Sequence, residues 1–340
     1  MAREDGMPFD TRRRGFLILL GCAATGWPPA TSAQQVDRAR RIGVLLNGSA
    51  GDPDASSCIR AFQEGLEKLG WMVGRSSQID YRWSADEVDA TTAAVEELLS
   101  LTPDVIVSDG RPALEALRHA ALTIPVVFME IDRPVFYGFV ESLTHPGGNM
   151  TGFTGLEPSV GAKWLELLKG IAPGVTRIAV IFNPRTAPSA VLFSLSAEAV
   201  APRFAVEVIR APVYEPADIE AVMTMLAQEP GGGLVLPIDP FTTVRRSLVF
   251  ELAARNRLPA IYGVRNSAVA GGLASYGIDL VGQLRLAAGY VDRILRGEKP
   301  FDLQVREPTN LKLVINLKTA KALGLEIPPT LLALANELIE

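Results

Sequence analysis

Residues 273–297, LASYGIDLVGQLRLAAGYVDRILRG, decide the fold. A strand carrying Ser275 and Tyr276 runs straight into a helix over 278–297, the pattern of a chain crossing back from one lobe to another. Working toward the N-terminus, the apolar runs explain what the crossing connects. Runs 42–46, 79–83, 104–107 and 125–129 alternate with helical patterns over 56–69, 88–101 and 112–121. Continuous Val/Ile-rich runs joined by helices are what a parallel sheet covered on both faces requires. The pattern then restarts, with helices over 160–171, 189–201, 216–228 and 243–255 between apolar runs 177–182, 205–209, 233–238 and 259–262. Two βα series of similar length imply two similar lobes. Between them, the glycine-rich stretch 146–155 (PGGNMTGFTG) reads as the linker, because glycine permits the backbone angles a crossover needs.

The N-terminus has the parts of a secretory signal: Arg12, Arg13 and Arg14, an apolar run over 16–24, and the small residues Thr31, Ser32 and Ala33 before Gln34. Cleavage after Ala33 is expected, so residues 1–33 form a signal peptide. Arg13-Arg14-Gly15-Phe16-Leu17 resembles a twin-arginine export signal, with Arg12 where Ser or Thr is usual. Thr25, Gly26, Pro28 and Pro29 interrupt the run before the ~18 apolar residues that spanning needs. Leu19-Leu20-Gly21-Cys22 also approximates a lipobox; lipid anchoring would start the mature chain at Cys22. The leader carries four basic and three acidic residues. The remainder, 29 Lys+Arg against 35 Asp+Glu, keeps a net charge of −6, which argues against nucleic acid or anionic lipid as a partner. Only Cys58 survives cleavage, so there is no disulfide framework, and with two histidines, His119 and His145, metal chemistry is poorly supplied. No metal and no cofactor is expected.

Several stretches, in order, carry a resemblance: 41–45 (RIGVL), 66–71 (LEKLGW), 103–107 (PDVIV), 146–152 (PGGNMTG), 163–169 (KWLELLK), the crossover, 317–325 (LKTAKALGL) and 327–332 (IPPTLL). Residues 41–340 resemble the bacterial solute-binding proteins of ATP-driven (ABC) importers, of the tryptophan- and phenylalanine-binding type. The resemblance implies an α/β chain of two Rossmann-like lobes joined by three crossovers, the type I periplasmic binding protein fold. Crossings are expected near Thr154, Tyr276 and Pro300, giving one lobe of 36–154 plus 278–297 and a second of 155–277 plus 301–340. It also implies a periplasmic monomer that captures a small-molecule ligand in the interlobe cleft and delivers it to an inner-membrane ABC permease.

In open α/β sheets, ligands sit beyond the carboxyl ends of the strands. That rule selects Asn47 and Ser49 after the first strand and Ser108, Asp109 and Gly110 after the third, just ahead of a helix beginning near Pro112. The helix amides suit a ligand carboxylate, while Ser108 or Asp109 equally suits a helix cap. Asp132 and Glu130 follow the fourth strand, and Thr154 lies at the first crossing. From the second lobe come Asn183, Asp239 and Tyr262, with Tyr262 and Tyr276 equally readable as hinge or core residues. Asp239 is the expected amine partner, and its replacement by Ala is expected to weaken binding with the fold intact. Family members commonly have a Gly-Thr-Pro or Ala-Thr-Pro turn where this chain has Asp109-Gly110-Arg111-Pro112, and a neutral residue where it has Glu130. Both departures leave an aromatic amino acid, a cationic solute and a polyhydroxylated solute open as ligands.

Stretch 147–152 lacks the strand-then-helix setting of a dinucleotide loop, and 272–277 misses the nucleophile-elbow spacing by one residue. An enzyme would need a nucleophile with a base in reach, and spare histidines are lacking. A periplasmic sensor, or less favourably a hydrolase, is the alternative to the carrier.

Overall fold

The computed structural model describes residues 38–47, 53–84, 88–120, 123–308 and 311–340. The expected signal peptide, Gly48 and Ser49 lie outside them, and so does the side chain of Asn47. The chain opens with β1 (Arg40–Asn47), α1 (Pro53–Lys68), β2 (Ser77–Ser84), α2 (Val88–Ser100), β3 (Val105–Asp109), α3 (Arg111–Ala120), β4 (Val126–Ile131) and β5 (Met150–Thr154). These strands pair in parallel in the order β2-β1-β3-β4-β5. A second series follows: α4 (Val160–Ile171), β6 (Arg177–Phe182), α5 (Ala190–Val200), β7 (Glu207–Pro212), α6 (Pro216–Ala227), β8 (Gly232–Leu236), α7 (Pro240–Val244), α8 (Arg246–Arg255), β9 (Ala260–Val264), α9 (Arg265–Val269) and β10 (Ala274–Ile278). The chain ends with α10 (Leu280–Leu295), β11 (Leu311–Asn316), α11 (Leu317–Ala322), α12 (Pro329–Leu334) and β12 (Glu337–Ile339). The second sheet runs β12-β11-β10-β9-β8-β6-β7, parallel except where β11 returns antiparallel to β10.

Each sheet is covered on both faces, as its continuous apolar strands require. Ile42, Val105, Val107 and Val127 face Phe62 and Leu66 of α1, and Leu45, Ile106 and Phe128 face Leu98, Leu114 and Leu117 of α2 and α3. α10 is the element the crossover delivers. Its Leu284, Ala287, Ala288 and Val291 complete the core beside α1, although β10, directly before it, belongs to the second sheet. Gly65 makes the approach possible, because a Cβ there would stand 2.8 Å from that of Ala288. In the second lobe Trp164 is fully buried, and its indole N–H donates to the Tyr276 carbonyl at 2.6 Å.

Two segments differ from the sequence reading. Residues 150–154, read there as linker, form β5, a buried parallel strand beside β4. Gly152 explains the glycine: a Cβ there would lie 2.0 Å from the Phe128 carbonyl oxygen, so only glycine lets the strands close. The last crossing, expected near Pro300, falls beyond Arg306. Arg306 N–H donates to the Gly152 carbonyl at 2.9 Å, and Thr154 N–H donates to the Arg306 carbonyl at 2.8 Å, which ties this stretch to β5.

Candidate functional site

The carboxyl ends of both sheets face a common cleft. One compartment takes Leu46, Cys58, Trp83, Asp109 and Glu130 from the first lobe and Ile238, Thr243, Arg246, Asn266 and Ser267 from the second. It holds about 790 Å³ of empty space, open solvent included. An adjoining compartment shares Glu130, Ile238 and Pro240 and extends to Gly110, Asp132, Gly155, Thr186 and Phe193. Glu130 therefore stands where the two meet.

Its position is built by backbone irregularity. The β4–β5 register shifts between Phe128 and Ile131, and Glu130 itself adopts φ +56°, a left-handed conformation uncommon for a side chain of its kind. A bulge re-aims the side chain it carries, and strain of this sort concentrates at binding sites. On the neighbouring strand, Asp109 pairs in register with Met129, so the two carboxylates end adjacent strands side by side. Burial, reinforced by the charge of Asp109, holds the Glu130 carboxyl well above the ordinary carboxylate range. Arg111, beside them, is engaged locally: its Nε lies 3.5 Å from Glu115, and its guanidinium sits 3.7 Å above the Tyr137 ring.

Of the residues selected from sequence, Asp109, Gly110 and Asp132 line the cleft. Thr154 is buried at the first crossing, next to Gly155, which does line it. Ser108 is fully buried within β3. Asn183 and Asp239 lie behind the cleft wall, where they organise it. Asp239 is fully buried and accepts hydrogen bonds from the Asn183 N–H at 2.8 Å, the Phe241 N–H at 3.0 Å and the Thr186 hydroxyl. Burial raises its carboxyl above the ordinary value against the opposing effect of these donors. Asn183 in turn accepts from the Arg185 N–H at 2.8 Å. The expected amine partner is thus saturated within the protein, at the root of the loops that present Thr186 and Pro240. Tyr262 packs edge-on against Phe250 in the core of the second lobe, and burial pushes its phenol up.

Sequence reasoning passed over Trp83, Arg246, Asn266 and Ser267. Trp83 is the last residue but one of β2, so the strand-end rule applied to that edge strand would have found it. Arg246 begins α8, where one continuous helix over 243–255 was expected; the break after α7 at Arg245 places it at a helix start facing the cleft. Asn266 and Ser267 sit on α9, a five-residue helix with no periodic signal of its own.

Among known proteins, the chain is similar to a tyrosine-binding protein of Clostridioides difficile (strain R20291), with 25% identity over 313 residues, 92% of this chain and 90% of that one. It superposes on a crystal structure of an ABC domain in complex with L-Trp from Streptococcus pneumonia with a TM-score of 0.79 at 25% identity, covering 89% of this chain and all of that one. A conserved domain protein of Vibrio cholerae matches equally well, with a TM-score of 0.79, 26% identity and coverage of 88% and 100%. Residues 51–339 match the family model described as ABC transporter substrate binding protein. With the two-sheet fold and a cleft between strand ends, this chain belongs to that family, the extracytoplasmic solute-binding components of ABC transporters.

Proposed function

We propose that this protein is the exported, monomeric receptor of an ABC importer for a small amine-bearing solute of the amino-acid class. The observation that carries the reading is the cleft itself, in which carboxylates and an aromatic side chain from the first lobe oppose an arginine and hydroxyls from the second. Relatives that bind tyrosine or L-Trp support the class. Export is read from residues 1–33, with Arg13-Arg14 directing the twin-arginine route, and the mature lobes follow the crossings near Thr154, at Ile278 and after Arg306. The solute is carried unchanged: hinge closure buries it and forms the surface the permease recognises.

The test is thermal melting of the mature protein, refolded free of bound solute, against amino acids, amines, nucleosides, sugars and organic acids. A solute at 100 times its Kd adds about 2.7 kcal/mol to stability. A rise with one compound class supports the carrier; no rise with any refutes it.

A further inference from the structure

Arg111 stands at the junction of two spaces in the cleft. One is the compartment it shares with Glu130, Asp132, Ser189 and Phe193, and the other opens toward Thr92, His119 and Arg185. Pro112, Thr186 and Pro188 line both, so across either space Arg111 of the first lobe is met by the loop after β6 of the second. Its surroundings fix the guanidinium without using all of its donors. Nε lies 3.5 Å from Glu115, whose other oxygen is held more closely by Arg118 at 2.6 Å, and the guanidinium carbon sits 3.7 Å from the centre of the Tyr137 ring. Nη1 is buried, and among the described residues it has no hydrogen-bond partner.

A guanidinium cannot shed its charge, so burying one of its N–H groups without an acceptor is costlier than burying a neutral donor. The group that best offsets this is a carboxylate, because the planar fork of donors matches its two oxygens and charge-assisted bonds are stronger than neutral ones. Glu130 and Asp132 line the same compartment, yet neither forms an ion pair with Arg111 among the described residues. Burial holds Glu130 toward its neutral form, which lessens its repulsion of an acid, and Asp132 offers an acceptor to an ammonium group. The second lobe adds a hydroxyl, since Ser189 precedes α5 and its side chain makes no capping bond to that helix. Leu156, Phe193 and Ile238 make the rest of the wall apolar, where an ion pair is screened less than in water.

We propose that Arg111 is the carboxylate receptor of this site: the solute carries an acidic group, seated against the guanidinium between α3 and the loop that bears Thr186, with Nη1 as a donor to it. This rests on the carrier reading and supplies the contact that selects among its solutes. Because Arg111 belongs to one lobe and Thr186 to the other, hinge opening exposes the guanidinium and closure seals the acid against it. An amino acid fits with its ammonium toward Asp132 and its side chain toward Trp83 and Leu46 in the first compartment.

Paired probes separate the two levels of the claim. Residues 34–340, refolded free of solute, are melted with the common L-amino acids, each beside its carboxamide, and with benzoate, succinate, putrescine, a sugar and a nucleoside. The carboxamide keeps the amine and the body and removes only the acid. Stabilisation by an amino acid, with its carboxamide bound about tenfold more weakly or worse in calorimetric titration, is the expected result. Stabilisation by benzoate or succinate upholds Arg111 and removes the amine from the carrier reading. A carboxamide that binds as tightly as its acid, or stabilisation confined to putrescine, the sugar or the nucleoside, overturns the assignment of Arg111 and leaves the carrier intact. Failure of every compound overturns both. In Arg111→Gln the acid should lose about tenfold or more in affinity while the carboxamide loses little, and Arg111→Lys, which keeps the charge without the planar fork, should fall between. Both variants are first melted empty, and Arg111→Lys carries the comparison if Arg111→Gln does not fold. Equal losses of acid and carboxamide would make Arg111 a structural residue and, like native affinity for the acid, overturn the proposal.

Discussion

Glu130 shows how a single side chain can work against stability in the service of a site. Its carboxyl titrates above its unfolded value because burial and Asp109 disfavour the charge. The folded state therefore binds the proton more tightly than the unfolded state does, and stability falls as pH rises from the unfolded pKa through the folded one. Each tenfold change in proton affinity is worth about 1.4 kcal/mol. The empty Glu130→Gln variant should consequently melt above the native protein at pH 8, with the gap closing toward pH 4; a gap independent of pH would mean that the carboxyl is not held protonated. The residue was legible in the sequence only as a charged position after the fourth strand. Neither the bulge nor the positive φ is written in the tetrapeptide around it, because both arise from β4 fitting against β5.

At the scale of elements, the loops after β6 and β8 are one unit, fastened by Asp239. Its carboxylate takes donors from the first loop (Asn183, Thr186) and from the start of α7 (Phe241), so two segments over fifty residues apart are held in register behind the cleft. Asp239→Ala would leave the buried N–H groups of Asn183 and Phe241 and the half-buried Thr186 hydroxyl without their acceptor, at about 1–3 kcal/mol for each fully unsatisfied group before relaxation. A fall in stability of about 2–4 kcal/mol is expected in denaturant titrations. Solute affinity should fall as well, because Thr186 and Pro240 lose their support. Full stability with weakened binding would instead restore Asp239 to the role of a direct amine partner. The sequence located this residue correctly at a strand end, yet strand-end position does not say whether a side chain turns toward the cleft or back into the protein. The helices and strands themselves were more legible, since period 3.6 and continuous Val/Ile runs are local signals. β5 was hidden by its glycine and those that flank it. Gly152 looks like a flexible linker residue in sequence and acts as the point of closest contact between strands in the structure.

For the whole molecule, the crossover at 273–297 carried most of the information, because one strand and one helix adjacent in sequence serve different lobes. β10 is hydrogen-bonded within the second sheet, and α10 completes the core of the first. Between them Asp279 caps α10 through the Gly282 N–H at 3.2 Å and pairs with Lys312 of β11 at 2.6 Å. The chain thus passes between the sheets at Thr154–Gly155, at Ile278–Asp279 and between Arg306 and β11. Rotation about such crossings changes the cleft and leaves each sheet and its core intact, which is the economy of a hinge. A solute shifts the open and closed populations only by binding the closed form more tightly, and a cleft lined from both lobes provides that difference. Small-angle X-ray scattering of residues 34–340, refolded free of solute, should therefore show a radius of gyration that contracts on adding a saturating concentration of a stabilising solute, toward the roughly 19 Å of a compact chain of this size. No contraction would show that solute is captured without closure.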